Sequence, residues 1–110
     1  MKTGSKNFVG TNTIDEKTAT ISNGALTNII GNRLVIFAES DVTDTLDTLT
    51  LDNGGNYVDL IAADGHTITI TDSGNFNATN TITDSVYIKY NFNGTSWVQV
   101  GTLDLSTAVD

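Results

Sequence analysis

The chain has 110 residues, 38% of them hydrophobic and 7% aromatic, which bounds a single small domain with a modest core. No cysteine, no proline and one histidine exclude disulfide staples and thiolate metal sites and leave a structural zinc site improbable. Thirteen acidic against five basic residues give a formal charge of −8, a surface that repels nucleic acid and anionic membranes.

Positive charge is concentrated at the start, where Lys2, Lys6 and Lys17 surround the apolar pair Phe8 and Val9. No apolar run there reaches signal-peptide or membrane-spanning length, which leads to the expectation of synthesis in a cytoplasm without an address. Residues 1–17 read as an extended arm able to dock on an acidic partner, and 18–110 as a β domain. ALTNII (25–30) is too short for a helical stripe. RLVIFAE (33–39) is a continuous apolar run, which predicts a strand buried on both faces. TLDTLTL (45–51) and NYVDLIA (56–62) alternate less cleanly. HTITIT (66–71) puts Ile68 and Ile70 on one face and threonines on the other. SVYIKYNF (85–92) sets Val86, Ile88, Tyr90 and Phe92 against Tyr87, Lys89 and Asn91. Asn23-Gly24, Asn53-Gly54-Gly55, Asp64-Gly65, Ser73-Gly74-Asn75 and Asn93-Gly94 supply turn chemistry between these runs. Strand-length segments punctuated this way predict an all-β fold: an antiparallel sandwich or jelly-roll-like small domain with an extended N-terminal arm.

YNFNGTSWVQVG (90–101) holds the one tryptophan, with Trp97 and Gln99 on one face and Val98 and Val100 on the other. Burying its aromatics is worth several kcal/mol at about 25 cal/mol per Å². They close either a monomer's core or an interface between chains, and a sugar platform is a third reading. With disulfides and thiolate metal sites excluded and a structural zinc site improbable, oligomerisation is the staple a small core has left. Tyr87, Tyr90, Phe92 and Trp97 are therefore the expected oligomer-interface residues.

Catalytic constellations are poorly supplied. His66 falls in phase with Ile68 and Ile70, which suits a hydrogen-bonded strand-end histidine better than a general base. Asp41, Asp44 and Asp47 recur every three residues, followed by Asp52, Asp59 and Asp64, and read as solvated loops rather than a glycosidase pair. GGNYVDLIA (54–62) resembles one imperfect copy of a calcium-binding nonapeptide, with Tyr57 where a glycine belongs; its hairpin explanation needs no metal. Thr-x-Thr pairs at 11/13, 18/20, 43/45, 48/50, 67/69/71 and 79/81/83 suggest an ice-binding ladder, but their separations are irregular. The sequons at Asn77 and Asn93 mean little without a secretory signal. No catalytic residue, metal ligand or cofactor is expected.

The run HTITITDSGNFNATNTITDSVYIKYNFNGTSWVQVG (66–101) resembles segments that close bacteriophage tail-fibre, head-fibre and capsid-decoration proteins. In those a TITI strand, a DSGN turn, a second Thr/Ile strand, an aromatic strand and an NGT-x-W hairpin follow one another. The matching positions are Thr67 to Thr71, Asp72 to Asn75, Thr81 to Thr83, Val86 to Tyr90 and Asn93 to Val100. The resemblance implies a virion structural protein without enzymatic activity. Within that class, shortness favours a capsid decoration, or cement, protein: a homotrimer on the capsid exterior, bound to the major capsid protein through the arm residues Lys2, Lys6, Phe8, Val9 and Lys17. A fibre or spike tip binding a host receptor or glycan is the alternative, and a free β-sandwich binding module, with or without calcium, is a second.

Overall fold

Every named element is a strand in the computed structural model, which describes residues 16–52 and 55–105. In chain order they are β1 (Glu16–Thr20), β2 (Ala25–Ile29), β3 (Arg33–Phe37), β4 (Thr43–Leu46), β5 (Thr48–Leu51), β6 (Tyr57–Ala62), β7 (Thr67–Ile70), β8 (Asn80–Ile82), β9 (Val86–Phe92) and β10 (Trp97–Asp104). The all-β class stands. The first expected arm residue to be described, Glu16, already opens β1, as does Lys17; Lys2, Lys6, Phe8 and Val9 lie outside the described residues.

The strands form three sheets. The largest runs in the order β10-β9-β6-β3-β1, the second pairs β2 with β5, and the third runs β4-β7-β8. Strands β1, β3 and β6 are parallel neighbours, as are β2 with β5 and β4 with β7. The chain therefore winds: β3, β4 and β5 lie on the first, third and second sheets, and β6 then returns to the first. Successive passes stack like coils, and apolar residues from all three sheets fill the space between. Leu34, Ile36, Leu46, Val58, Leu60, Ile68, Ile70 and Ile82 are wholly buried there.

The expected antiparallel pairing holds only at the far end. Strand β8 runs antiparallel to β7, β9 to β6, and β10 to β9. The winding part departs from it because its turn residues turn corners between sheets and do not join paired strands. Asn23 and Gly24 adopt positive φ (51° and 77°), and the Gly24 carbonyl accepts from both Asp47 N–H (2.8 Å) and Thr48 N–H (3.3 Å). That contact bends TLDTLTL at Asp47, so the run is two strands on two sheets. Asp64-Gly65 likewise carries the chain from the first sheet to the third. Among the described turns, Asn23-Gly24 closes a tight reversal in which Ser22 and Ala25 exchange both backbone hydrogen bonds, a bridge that extends no further, and Asn93-Gly94 joins the paired strands β9 and β10.

RLVIFAE also differs from its expectation. Leu34 and Ile36 are buried inside, but Phe37 on the outer side is 38% exposed, so β3 is covered on one face and half-open on the other.

Candidate interaction surfaces and the clamp beneath them

The second sheet has two strands, and a loop takes the place of a third. Asn75 lies against β5 and treats it as a neighbouring strand would. Its Oδ1 accepts from Leu49 N–H (2.9 Å) and its Nδ2 donates to Leu49 O (2.7 Å). Its own N–H donates to Asp47 O (3.0 Å), and its carbonyl accepts from Trp97 N–H (2.8 Å). The side-chain amide thus satisfies the exposed backbone edge of β5, a need every unpaired strand edge has. Gly74 makes the approach possible, since a Cβ there would run into the Asp47 carbonyl.

Trp97 completes this clamp. Its indole Nε1–H donates to the same Leu49 carbonyl (2.9 Å), and its ring is 2% exposed. Tyr90 is equally buried and meets Phe76 edge to face at 5.3 Å; Tyr87 is 9% exposed. Three of the four aromatics expected at an oligomer interface therefore have almost no surface to offer a partner. Trp97 and Tyr90 are spent inside the chain, as in the core reading of the hairpin, and Tyr87 lies on the outer face covered by Arg33. Phe92, half-buried and tilted against Trp97 at 5.1 Å, keeps an open side. It borders a largely apolar cleft of about 300 Å³ between β5 and the hairpin, beside Leu51 and Gly55. Burial pushes the Tyr90 phenol above its ordinary value of 10.0, against the opposing hydrogen bond from Asn80.

The outer face of the five-stranded sheet is the most ordered charged surface. In register across the strands lie Glu16, Arg33, Asp59 and Lys89, alternating in sign. Asp59 is 2% exposed yet well supplied with partners. Arg33 reaches its Oδ2 through Nη2 (3.1 Å) and Nε (3.3 Å), Tyr57 OH donates to its Oδ1 (2.6 Å), and Lys89 Nζ stands 3.4 Å from the same oxygen. The Arg33 guanidinium also stacks on Tyr87, 4.4 Å from the ring centre. Burial works to lower the Lys89 ammonium, but the Tyr57 hydrogen bond and the Asp59 charge outweigh it and raise it above its ordinary 10.5. This ladder explains why NYVDLIA alternates poorly: Val58, Leu60 and Ala62 face the core while Asp59 is buried under its own partners outside.

The calcium-like motif loses its ligand by the same arrangement, because the Asp59 carboxylate is taken by two cations and a phenol. Among the described residues, no three acidic or imidazole groups gather as a metal would need. Asp41, Asp44 and Asp47 do not converge: Asp44 accepts from Glu39 and Thr45 N–H groups, and Asp47 turns a corner. His66 Nδ1 accepts from Ala38 N–H (3.1 Å), with the ring edge to face on Phe37 at 5.4 Å, a structural use at a strand end. Sequence reasoning missed the Arg33–Asp59–Lys89 ladder and Asn75. The residue types were visible, but only the strand register brings them together.

Beyond the ladder the outer face carries exposed apolar residues: Phe37 and Leu103 at 38% and Leu105 at 44%. Geometry thus defines an all-β domain of stacked passes capped by reversed strands, with its chemistry on its surfaces. No protein-family model matches the chain, and no curated protein matches it.

Proposed function

We propose that this chain is a non-enzymatic structural protein of a bacteriophage virion that binds the outside of the assembled shell and stabilises it. The observation that carries the reading is that the segment with the virion resemblance, residues 66–101, supplies the last two strands of the third sheet and the antiparallel end of the first. It forms β7 to β9 and the start of β10, and closes the stacked passes through the Asn75–Trp97 clamp. Exposed Phe37, Leu103 and Leu105 beside a neutralised charge ladder give a partner an apolar contact with defined register. The partner is the major capsid protein, met by several copies of this chain in a homotrimer, so that modest contacts add up. Binding only the assembled shell stabilises it by mass action.

The arm carries the first contact in this scheme. Deleting residues 2–13 is expected to leave the β domain folded and abolish coating of empty shells. Saturation of shells at unchanged affinity by the truncated chain would remove the arm from the docking surface.

One observation favours a second reading, a fibre or spike tip that binds a host receptor or glycan. Parallel passes closed by antiparallel strands at one end suit the tip of a longer coil. Binding of the isolated chain to host cells, with none to shells, would select that reading.

A further inference from the structure

The outer side of the third sheet is built almost entirely of threonine. Thr45 lies opposite Thr69, and Thr69 lies opposite Thr81; in the next row Thr43 lies opposite Thr67. The linear separations that looked irregular are one pass of the coil in the first step and one hairpin in the second, so stacking converts uneven spacing into an even array. Neighbouring strands stand about 4.8 Å apart, and alternate residues along a strand about 6.6 Å apart. The array is therefore a rectangular lattice of hydroxyl and methyl groups.

Three features make it a surface with a use beyond solubility. Thr43, Thr45, Thr69 and Thr81 are exposed and Thr67 is half-buried, while Leu46, Ile68, Ile70 and Ile82 behind them are wholly buried, which fixes the backbone. The five hydroxyls make no hydrogen bond to protein among the described residues, whereas Thr48, Thr71 and Thr83 just outside the array bond to Asp47, Ser73 and Ser85. No charged side chain stands within the array; Asp44, between two of its threonines, spends both oxygens on backbone N–H groups.

We infer that this face binds an ordered water lattice, the surface of ice. The two repeats lie near the oxygen repeats of the prism face of hexagonal ice. Threonine is stiff at χ1, so little rotamer freedom is lost when the hydroxyls order water. Each hydroxyl–water bond nets little alone, and the effect rests on several made at once from a rigid sheet. A protein partner fits poorly, because the array has no aromatic or arginine anchor. A soluble sugar or cofactor fits poorly too, since the array has no aromatic or charged group to orient one. With three strands the expected activity is modest: slowed ice recrystallisation rather than a large depression of freezing.

The test is partition of the full chain into slowly grown polycrystalline ice, alongside a bystander protein of similar size. Wild type is expected to be enriched in the ice fraction over the bystander. Thr45→Lys with Thr69→Lys is expected to lose that enrichment, and Thr27→Lys, an exposed threonine on the second sheet, to keep it. Thr81→Lys, on the shortest strand of the array, reads the same loss independently should the double variant fold poorly by circular dichroism. Equal partition of wild type and bystander, or undiminished enrichment of either array variant, overturns the inference.

Discussion

Replacing Asn75 tests the clamp from which the closing unit takes its position. Asn75→Ala removes two hydrogen bonds to Leu49, at 2.9 and 2.7 Å. The Leu49 carbonyl keeps the Trp97 indole, but the Leu49 N–H is left without a partner on a residue that is 1% exposed. Two bonds at about 1 kcal/mol each, plus a share of the ~1–3 kcal/mol cost of an orphaned donor, give a loss of about 3 kcal/mol. At a urea slope of about 2 kcal/mol/M, the midpoint should fall by roughly 1.5 M. Asn75→Asp separates the two bonds. Its carboxylate still accepts from Leu49 N–H but opposes the Leu49 carbonyl, a repulsion relieved when the carboxyl is protonated and donates. Protonation is favoured in the fold, so the folded pKa lies above the unfolded value of about 3.9. The variant's deficit relative to wild type should therefore shrink as pH falls through that folded pKa. Urea titrations of both variants and wild type, monitored by Trp97 fluorescence between neutral and acid pH, read these quantities. An Asn75→Ala loss below about 0.5 kcal/mol, the range of ordinary surface substitutions, would refute the clamp. A pH-independent Asn75→Asp deficit would refute the assigned donor.

Other perturbations follow from the same geometry. Asp59→Ala leaves Arg33 and Lys89 as uncompensated neighbours; breaking a buried pair costs ~3–5 kcal/mol, and the part-open cations place this one near the lower end. Arg33→Met should cost visibly less, which thermal melts of the two variants compare directly. Gly74→Ala drives a methyl into the Asp47 carbonyl, and a loss of at least ~2 kcal/mol is expected by the same melts, against near-neutrality for an open site. Lys89 and Tyr90 both have raised folded pKa values, so their contributions are complete below the ordinary 10.5 and 10.0 and fade as pH rises through the folded values. Alkaline titration of stability should show this decline, and Tyr90→Phe should make it shallower.

Period-two patterning made much of this fold legible. The inward set Val86, Ile88, Tyr90 and Phe92, the paired Ile68 and Ile70, and the Asn93-Gly94 hairpin all follow from alternation and turn chemistry. Strand direction did not, because alternation is the same in parallel and antiparallel ladders. The passes also differ in length: Glu16 pairs with Arg33, 17 residues on, and Arg33 with Asp59, 26 on, so no fixed repeat announces the winding. Asn75 looked like a turn residue and is one, but its side chain also replaces a strand. The ladder through Asp59 and the threonine array needed register, which depends on corner lengths that composition does not encode. Trp97 was the opposite case: both of its readings were visible, and its 2% exposure puts its ring in the core.

The most direct measurement of the proposed role is co-sedimentation of the purified full-length chain with empty phage shells, expanded and unexpanded, across a concentration series. The account expects saturable binding to expanded shells alone, accompanied by a higher shell disruption temperature. Equal binding to both forms, or none to either up to the highest concentration of the series, would contradict it.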